Sequence, residues 1–252
     1  MDKNIRKYVL TGLMTALVFI LTFIIKIPVP YTSGYIHLGD SMIYISVIVL
    51  GPFLGAFASG VGSMLSDILG GYAQYALPTL IIKSIMALCM GFILKSKTRK
   101  STFLSVISAI VVWIAFSVGA ILNLQYHIST EGTSSILEKA GVDLQTINNL
   151  PIWLIVGIAA SVIILSATAW FISRKASHSI FGIKAIVGMT AAGMCMVIGY
   201  FITESFMYGV IASTFSIPMN MIQFFSGVLV AGLLAPSIKR AVINPVFPWQ
   251  NE

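Results

Sequence analysis

Residues 8–27 read YVLTGLMTALVFILTFIIKI, an apolar run whose single charged residue is Lys26, near its end. A helix of about 20 residues is about 30 Å long, which is the thickness of the hydrocarbon core of a bilayer. Similar runs recur along the 252-residue chain, which is 58% hydrophobic and 9% charged. Soluble domains carry about 25% charged residues. The sequence therefore predicts an all-α, polytopic transmembrane helical bundle.

The apolar runs predict about eight membrane spans within a single integral membrane domain, 1–252. The candidate spans are roughly 8–27, 40–51, 53–69, 77–95, 102–123, 152–172, 183–208 and 217–236. Gly51-Pro52 predicts a turn between the second and third spans. Pro78 and Pro218 are expected in the first turns of their helices. The long polar loop 124–151 is expected to hold a short surface helix at 134–140.

The basic residues predict how the chain is oriented in the membrane. The net charge is +7, and the basic residues bunch at the ends of spans, as orientation signals do. With the N- and C-termini in the cytoplasm, all the main clusters are cytoplasmic: Lys3/Arg6/Lys7, Lys95/Lys97/Arg99/Lys100, Arg174/Lys175 and Lys239/Arg240. The segments GYIHLGD (34–40) and GGYAQY (70–75) are then extracytoplasmic.

Three ionisable residues lie within predicted spans and need counter-charges or hydrogen-bond partners: Asp67, Lys83 and Glu204. A charge in hydrocarbon costs at least about 2.5 kcal/mol, so such residues face the interior of a bundle. One interpretation is a structural ion pair, Asp67–Lys83 or Glu204–Lys83. The other is a polar binding cavity. The two are compatible, because a charge pair can line a cavity.

Helical spacing brings further polar groups onto shared faces. Residues three or four apart lie on one helix face, and the sequence contains several such sets: Tyr200/Glu204/Tyr208, Asn220/Gln223, Thr79/Lys83 and Ser63/Asp67, with Tyr72 and Tyr75 beside Gly70-Gly71. Four separate segments thus direct polar groups toward the outer half of the bundle. A carboxylate flanked by aromatic rings suits a flat, hydrogen-bonding heterocycle.

Small residues form two stripes. Gly12 and Ala16 are four apart in the first span, and GAFASGVGS occupies 55–63. Small side chains allow close helix approach, so each stripe serves either internal packing or docking of a partner protein.

Several enzyme classes lack their motifs. The sequence contains no G-x-x-x-x-G-K-[ST], G-x-S-x-G or H-E-x-x-H, so no P-loop ATPase, serine hydrolase or zinc protease is indicated. An intramembrane aspartyl protease needs two carboxylates together, whereas Asp40 lies at the edge of a span. We expect no enzymatic activity, no metal and no cofactor.

The quoted segments resemble a known family. The ordered pattern HLGD…GP…G…GS…D…GGY…Y…P…T…IIK within 34–94, together with 199–234, resembles the substrate-binding S components of energy-coupling factor (ECF) vitamin transporters. The resemblance covers about 9–95 and 183–236. Such proteins usually have six helices, so the chain is expected to combine a core, 8–95 and 183–236, with an inserted helix pair and extracytoplasmic loop, 101–175.

The resemblance implies that the chain binds a vitamin from outside. It would work with a transmembrane coupling subunit and two cytoplasmic ATPases, docking through Gly12 and Ala16, which stand where the family has Ala-x-x-x-Ala. GYIHLGD would form a lid and binding wall, with Asp40 also acting as a helix N-cap. The expected substrate-binding residues are His37, Asp40, Tyr72, Tyr75, Lys83, Tyr200, Glu204, Asn220 and Gln223.

The residue pattern leaves the substrate and the mode of transport open. The aromatic, carboxylate and amide set favours vitamin B6 or the thiamine hydroxymethylpyrimidine, with riboflavin, pantothenate and other vitamins as alternatives. A self-sufficient, ion-coupled secondary transporter would use Asp67, Lys83 and Glu204 as a relay. A membrane scaffold without a small ligand would use its small-residue faces for assembly alone.

Overall fold

The computed structural model describes residues 3–29, 31–96, 99–141, 143–175 and 180–241. Within these ranges the chain forms nine α-helices and one short antiparallel β-pair. The elements are α1 (Lys3–Ile24), β1 (Ile27–Pro28), β2 (Tyr35–Ile36), α2 (Gly39–Leu50), α3 (Pro52–Leu69), α4 (Ala73–Lys95), α5 (Arg99–Glu131), α6 (Thr133–Ala140), α7 (Leu144–Lys175), α8 (Ile180–Tyr208) and α9 (Val210–Ala241). Lys97 and the C-terminal residues 242–252, for which the sequence predicts a cytoplasmic position, lie outside the described residues.

The prediction of an all-α membrane protein is confirmed. In the described part of the chain, five helices are long and apolar enough to cross a membrane, namely α1, α3, α4, α8 and α9. Helices suit the interior of a lipid bilayer because they satisfy their backbone hydrogen bonds internally. The total of eight spans and the division into a core and an insertion stay predictions.

Helix α2 is the centre of the bundle. Its residues from Gly39 to Val49 are buried, and it packs against α1, α3, α4 and α9. The predicted turn after it is confirmed: α2 ends at Leu50, and α3 begins at Pro52. Gly51 between them has φ 79°, a left-handed conformation that glycine adopts without steric cost.

The loop between α1 and α2 contains a β-pair that the sequence analysis missed. Ile27 pairs with Ile36 and Pro28 with Tyr35. We call residues 25–38 the lid loop. The pairing folds this loop back over the end of the bundle, so residues on its second strand reach the interior.

Two predicted helix starts and one predicted loop are wrong. Helix α4 begins at Ala73 and α9 at Val210, so Pro78 and Pro218 lie inside their helices rather than in the first turns. Proline is tolerated inside membrane helices because neighbouring groups satisfy the freed carbonyl. The expected loop 124–151 is largely helical, since α5 continues to Glu131 and α7 starts at Leu144, although the surface helix at 134–140 is confirmed as α6.

The helices of the predicted insertion pack on one part of the bundle. Helix α7 contacts α8 and α9, and α5 packs mainly on α8. Helix α1 packs instead against α2 and α3.

Candidate ligand-binding cavity

A small polar cavity lies beneath the lid loop and between α3, α4, α8 and α9. It is lined by Val29, Gly34, Tyr35, His37, Asp67, Tyr75, Thr79, Tyr200, Glu204 and Asn220. Its volume is about 20 Å³, which is room for about one water molecule. A ring-sized ligand therefore needs the lid loop or the lining side chains to move.

Glu204 forms one end of the cavity. Its Oε1 accepts a hydrogen bond from Tyr75 Oη at 3.3 Å, and its Oε2 accepts one from Ser216 Oγ. Asn220 Nδ2 lies 3.4 Å from the same Ser216 hydroxyl. A side chain at Gly34 would fill this end, because a Cβ there would lie 3.2 Å from Tyr75 Oη and 3.4 Å from Glu204 Oε1. Glycine at this position keeps the carboxylate accessible from the cavity.

Tyrosine rings form the wall beside Glu204. The rings of Tyr75 and Tyr200 have centroids 6.4 Å apart, and the Tyr200 hydroxyl lies 3.1 Å from Thr79 Oγ1. Tyr208, on the predicted stripe with Tyr200 and Glu204, lies behind Tyr75 at 6.3 Å between ring centroids. These spacings are typical of edge and offset contacts between the rings themselves.

Asp67 forms the other carboxylate of the cavity. Tyr35 Oη donates to Asp67 Oδ1 at 2.6 Å. The Tyr35 ring packs on Tyr72, with centroids 4.4 Å apart, so Tyr72 supports the wall without lining it. Burial, followed by the nearby Asp67 carboxylate, raises the pKa of Tyr35 well above its ordinary value. Tyr35 therefore stays a neutral donor.

Asp40, Lys83 and Gln223 form a buried network next to the cavity and do not line it. Lys83 Nζ donates to Asp40 Oδ1 at 2.5 Å, and Gln223 Nε2 donates to Asp40 Oδ2 at 3.0 Å. Lys83 Nζ and Gln223 Nε2 also each lie 3.1 Å from Met196 Sδ. The side chains of α2, α4, α8 and α9 thus meet at one point.

Two predictions about this network are wrong. Lys83 pairs with Asp40 rather than with Asp67 or Glu204, because α2 is the helix that places a carboxylate against it. Asp40 is not the N-cap of α2. Leu38 holds that position without a side-chain cap, and Asp40 lies within the first turn.

His37 fastens the lid loop to the bundle. Its backbone N–H donates to Gln223 Oε1 at 3.1 Å, and its Nδ1 accepts from Gly39 N at 3.0 Å. Burial, followed by the charge of Lys83, lowers the pKa of His37 to about 3. The imidazole is therefore neutral, and because Nδ1 is an acceptor, its proton lies on Nε2.

The two small-residue stripes have different environments. Gly12 and Ala16 are exposed on α1, and a Cβ at Gly12 would meet no atom within 4 Å. In 55–63, by contrast, the small residues Gly55, Ala58 and Gly60 are buried. The α3 stripe serves internal packing, whereas the α1 stripe leaves its face uncovered.

The list of expected substrate-binding residues lacked several residues that line the cavity. Tyr35 and Gly34 reach the cavity because the β-pair turns the lid loop inward, and Thr79 lies one turn before Lys83 on α4. An aromatic residue two positions before His37 in GYIHLGD was the available signal for Tyr35. Ser216, a further residue outside the expected set, donates to Glu204 and holds its carboxylate in place.

The described chain is thus a helical bundle with membrane-spanning helices and a small buried polar cavity under a loop. Comparison with known proteins gives the family. The sequence model of the family described as "ECF-type riboflavin transporter, S component" matches residues 2–140, more than half of the chain. The chain belongs to this family, which is one of transport proteins.

Curated relatives match over shorter stretches. The thiamine precursor transporter HmpT of Lactococcus lactis is 35% identical over 82 residues, which is 32% of this chain and 49% of the relative. An uncharacterized protein of Pyrococcus woesei is 40% identical over 82 residues, 32% of this chain and 55% of the relative. A UPF0397 protein of Streptococcus agalactiae is 28% identical over 95 residues, 36% of this chain and 50% of the relative. The chain thus spans about half the length of the curated relatives it matches. No solved structure gives a significant match.

Proposed function

We propose that the chain is the high-affinity substrate-binding subunit of an ECF-type importer for a small water-soluble vitamin or precursor. The observation that carries this proposal is the Glu204 carboxylate, which is buried under the lid loop between Tyr75 and Ser216. A buried carboxylate with oriented donors and adjacent aromatic rings is a ready site for a polar heterocycle. The ligand would enter from the extracytoplasmic side, with both chain termini in the cytoplasm.

Vitamin B6 and the thiamine hydroxymethylpyrimidine are the proposed substrates. The matched family is named for riboflavin and one relative for a thiamine precursor, so membership leaves the choice to the site. Because the cavity is only about 20 Å³, a single ring would need less displacement of the lid loop than a three-ring flavin. Tyr75, Tyr200, Glu204 and Asn220 are the proposed ligand contacts.

The other expected site residues have supporting roles in this proposal. His37 presents its ring to the cavity and anchors the lid loop. Gln223, which bonds the backbone of His37, is itself held by Asp40 and Lys83. The Tyr72 ring packs on Tyr35. These positions affect affinity mainly through the shape of the lid loop.

Transport would be powered by partner subunits. The exposed Gly12 and Ala16 face of α1 is the proposed docking surface for a transmembrane coupling subunit, since small residues allow close helix contact. Two cytoplasmic ATPases would supply the energy.

Ligand release and binding by the detergent-purified chain test the proposal. Mass spectrometry of small molecules extracted from the protein is expected to find a stoichiometric vitamin-like compound. Calorimetric titration with that compound follows, using Glu204→Gln and Asn220→Ala in folded protein. We expect each variant to lose at least about tenfold in affinity, because a polar site poorly tolerates a lost partner. Unchanged affinity in both variants would contradict the assignment of this cavity as the ligand-binding site.

The rival functions give different outcomes. Uptake by the chain alone in liposomes, driven by an ion gradient without ATP, would favour the secondary transporter. A chain that is empty on purification and ignores a panel of vitamins would favour the scaffold.

A further inference from the structure

We propose that Asp67 is a second substrate-reading residue, and that the cavity selects heterocycles carrying an amino group or a basic nitrogen over acidic or phosphorylated ones. This inference rests on the proposed function and names the chemical class of its substrate. It adds a residue that was not among the expected contacts.

Asp67 has an unused acceptor. The side chain lines the cavity and is only 3% exposed. Its Oδ1 accepts from Tyr35 Oη at 2.6 Å, while Oδ2 has no hydrogen-bond partner among the described residues. The Thr79 hydroxyl interacts with this carboxylate, but its hydrogen bond of 3.1 Å is made to Tyr200. A buried acceptor without a partner is costly, and an N–H group of a ligand would satisfy it.

The positive charges near the cavity are already engaged. Lys83 Nζ contacts Asp40 Oδ1 at 2.5 Å and Met196 Sδ at 3.1 Å, and it lies 5.3 Å from the centroid of the Tyr200 ring. Lys26 Nζ lies 4.4 Å from the ring centroid of Phe23, and it also lies 5.1 Å and 5.3 Å from the ring centroids of Tyr35 and Tyr72. Neither lysine lines the cavity.

The described lining therefore contains two carboxylates and no cation. Asp67 and Glu204 belong to it, and the neutral imidazole of His37 supplies no positive charge. A ligand carboxylate or phosphate would be brought against two acidic groups with no cation in the lining itself, which is unfavourable in a buried site. An amino group or a protonated ring nitrogen would instead find acceptors.

This arrangement predicts discrimination between close analogues. A 4-aminopyrimidine offers N–H donors, whereas its 4-oxo counterpart places an acceptor where the amino group was. Sites built to hydrogen-bond a donor reject analogues that lack it far more strongly than apolar sites reject a missing methyl group.

The test is calorimetric titration of the full chain in detergent with defined probes. The amino probes are 4-amino-5-hydroxymethyl-2-methylpyrimidine and pyridoxamine. The comparison probes are the 4-oxo pyrimidine, pantothenate and pyridoxal 5′-phosphate. We expect an amino probe to bind at least about tenfold more tightly than the 4-oxo pyrimidine or either anion. Asp67→Asn is expected to weaken binding of the amino probe and to reduce the amino-to-oxo ratio.

Asp143→Asn is the matched control. Asp143 is exposed, and its Oδ1 accepts from Thr146 N at 2.7 Å, a bond that asparagine also makes. This variant should keep both affinities and the ratio.

The outcomes separate this inference from the proposed function. Tight binding of pantothenate or pyridoxal 5′-phosphate, or an amino-to-oxo ratio near one, would overturn the inference and leave the vitamin-binding function intact. A folded Asp67→Asn chain with the wild-type ratio would overturn the role of Asp67. If that variant does not fold, the ratio measured on the wild-type chain decides. A wild-type chain that binds no probe and releases no vitamin would overturn both proposals.

Discussion

Lys83 Nζ on α4 and Asp40 Oδ1 on α2 lie 2.5 Å apart, and both side chains are fully buried. Gln223 on α9 holds the other oxygen of Asp40 and the backbone of His37. The ion pair therefore connects the bundle interior to the lid loop, and damage to it should affect both stability and ligand binding.

Breaking this pair from one side should be strongly destabilising. Lys83→Met leaves the Asp40 carboxylate buried without a counter-charge, which costs about 3–5 kcal/mol of unfolding free energy. The double variant Lys83→Met/Asp40→Asn removes the charge itself and should lose less than Lys83→Met alone. Thermal unfolding in detergent measures both, together with the single variant Asp40→Asn. A double variant whose loss is the sum of the two single losses would contradict the coupling.

A methyl group at position 34 should close the Glu204 end of the cavity. The Cβ of Gly34→Ala would lie 3.2 Å from Tyr75 Oη and 3.4 Å from Glu204 Oε1, in the space proposed for the ligand. We expect an affinity loss of about tenfold or more, since a misplaced ligand loses its polar contacts. Gly12→Ala is the control, because its Cβ meets no atom within 4 Å. Equal affinities in the two variants would argue against ligand binding beside Gly34.

His37 should make the folded chain sensitive to mild acid. Its pKa is lowered to about 3 by burial and by Lys83, against about 6.5 in the unfolded chain. The unfolded state therefore binds a proton that the native state does not, and stability is lost as the pH falls through 6.5 toward 3. Between pH 7.5 and 5.5 the loss is about 1.4 kcal/mol.

His37→Asn should remove this sensitivity, because an asparagine oxygen can replace Nδ1 as the acceptor for Gly39 without titrating. Unfolding measured at both pH values should show a smaller pH effect in His37→Asn than in the wild type. His127→Asn is the control. His127 is 26% exposed and pairs with Glu131 on α5, so it is not a fully buried neutral histidine. If His37→Asn and the wild type lose equal stability, the histidine is not buried as a neutral ring.

Bulk on the exposed face of α1 should separate binding from transport. Gly12→Leu and Ala16→Leu project into space that no described residue fills, so folding and ligand affinity should be retained. Uptake in cells or liposomes that contain the coupling subunit and the ATPases should be lost, because close helix contact needs small residues. Ala159→Leu, at an exposed position of α7, is the matched control. Normal uptake by both α1 variants would exclude this docking surface.

The helices themselves could largely be predicted from hydropathy, but the starts of α4 and α9 could not. Pro78 and Pro218 suggested helix starts, whereas α4 and α9 begin earlier. Proline marks a helix start in water because its missing N–H would otherwise cost a hydrogen bond. Inside a packed membrane bundle, neighbouring groups compensate that loss.

The residues that line the cavity could be predicted only in part. Tyr75, Tyr200, Glu204, Asn220 and His37 were expected as contacts, and all line it. Gly34 and Tyr35 were not, because a β-pair of two residues per strand has too little periodicity to be recognised. The burial cost of Asp67 predicts that it faces inward, but nothing in its spacing indicates that one oxygen is left unpaired.

The sequence by itself determined that this chain is a helical membrane protein whose polar residues converge toward one end. Lipid leaves the backbone no other partner than itself, and every charge in hydrocarbon must face inward. Only the tertiary structure decided which carboxylate neutralises Lys83, and hence which carboxylates face the cavity. Helical periodicity specifies the face on which a side chain lies, whereas an ion pair needs two atoms within a few ångströms. That distance depends on how α2, α4, α8 and α9 pack.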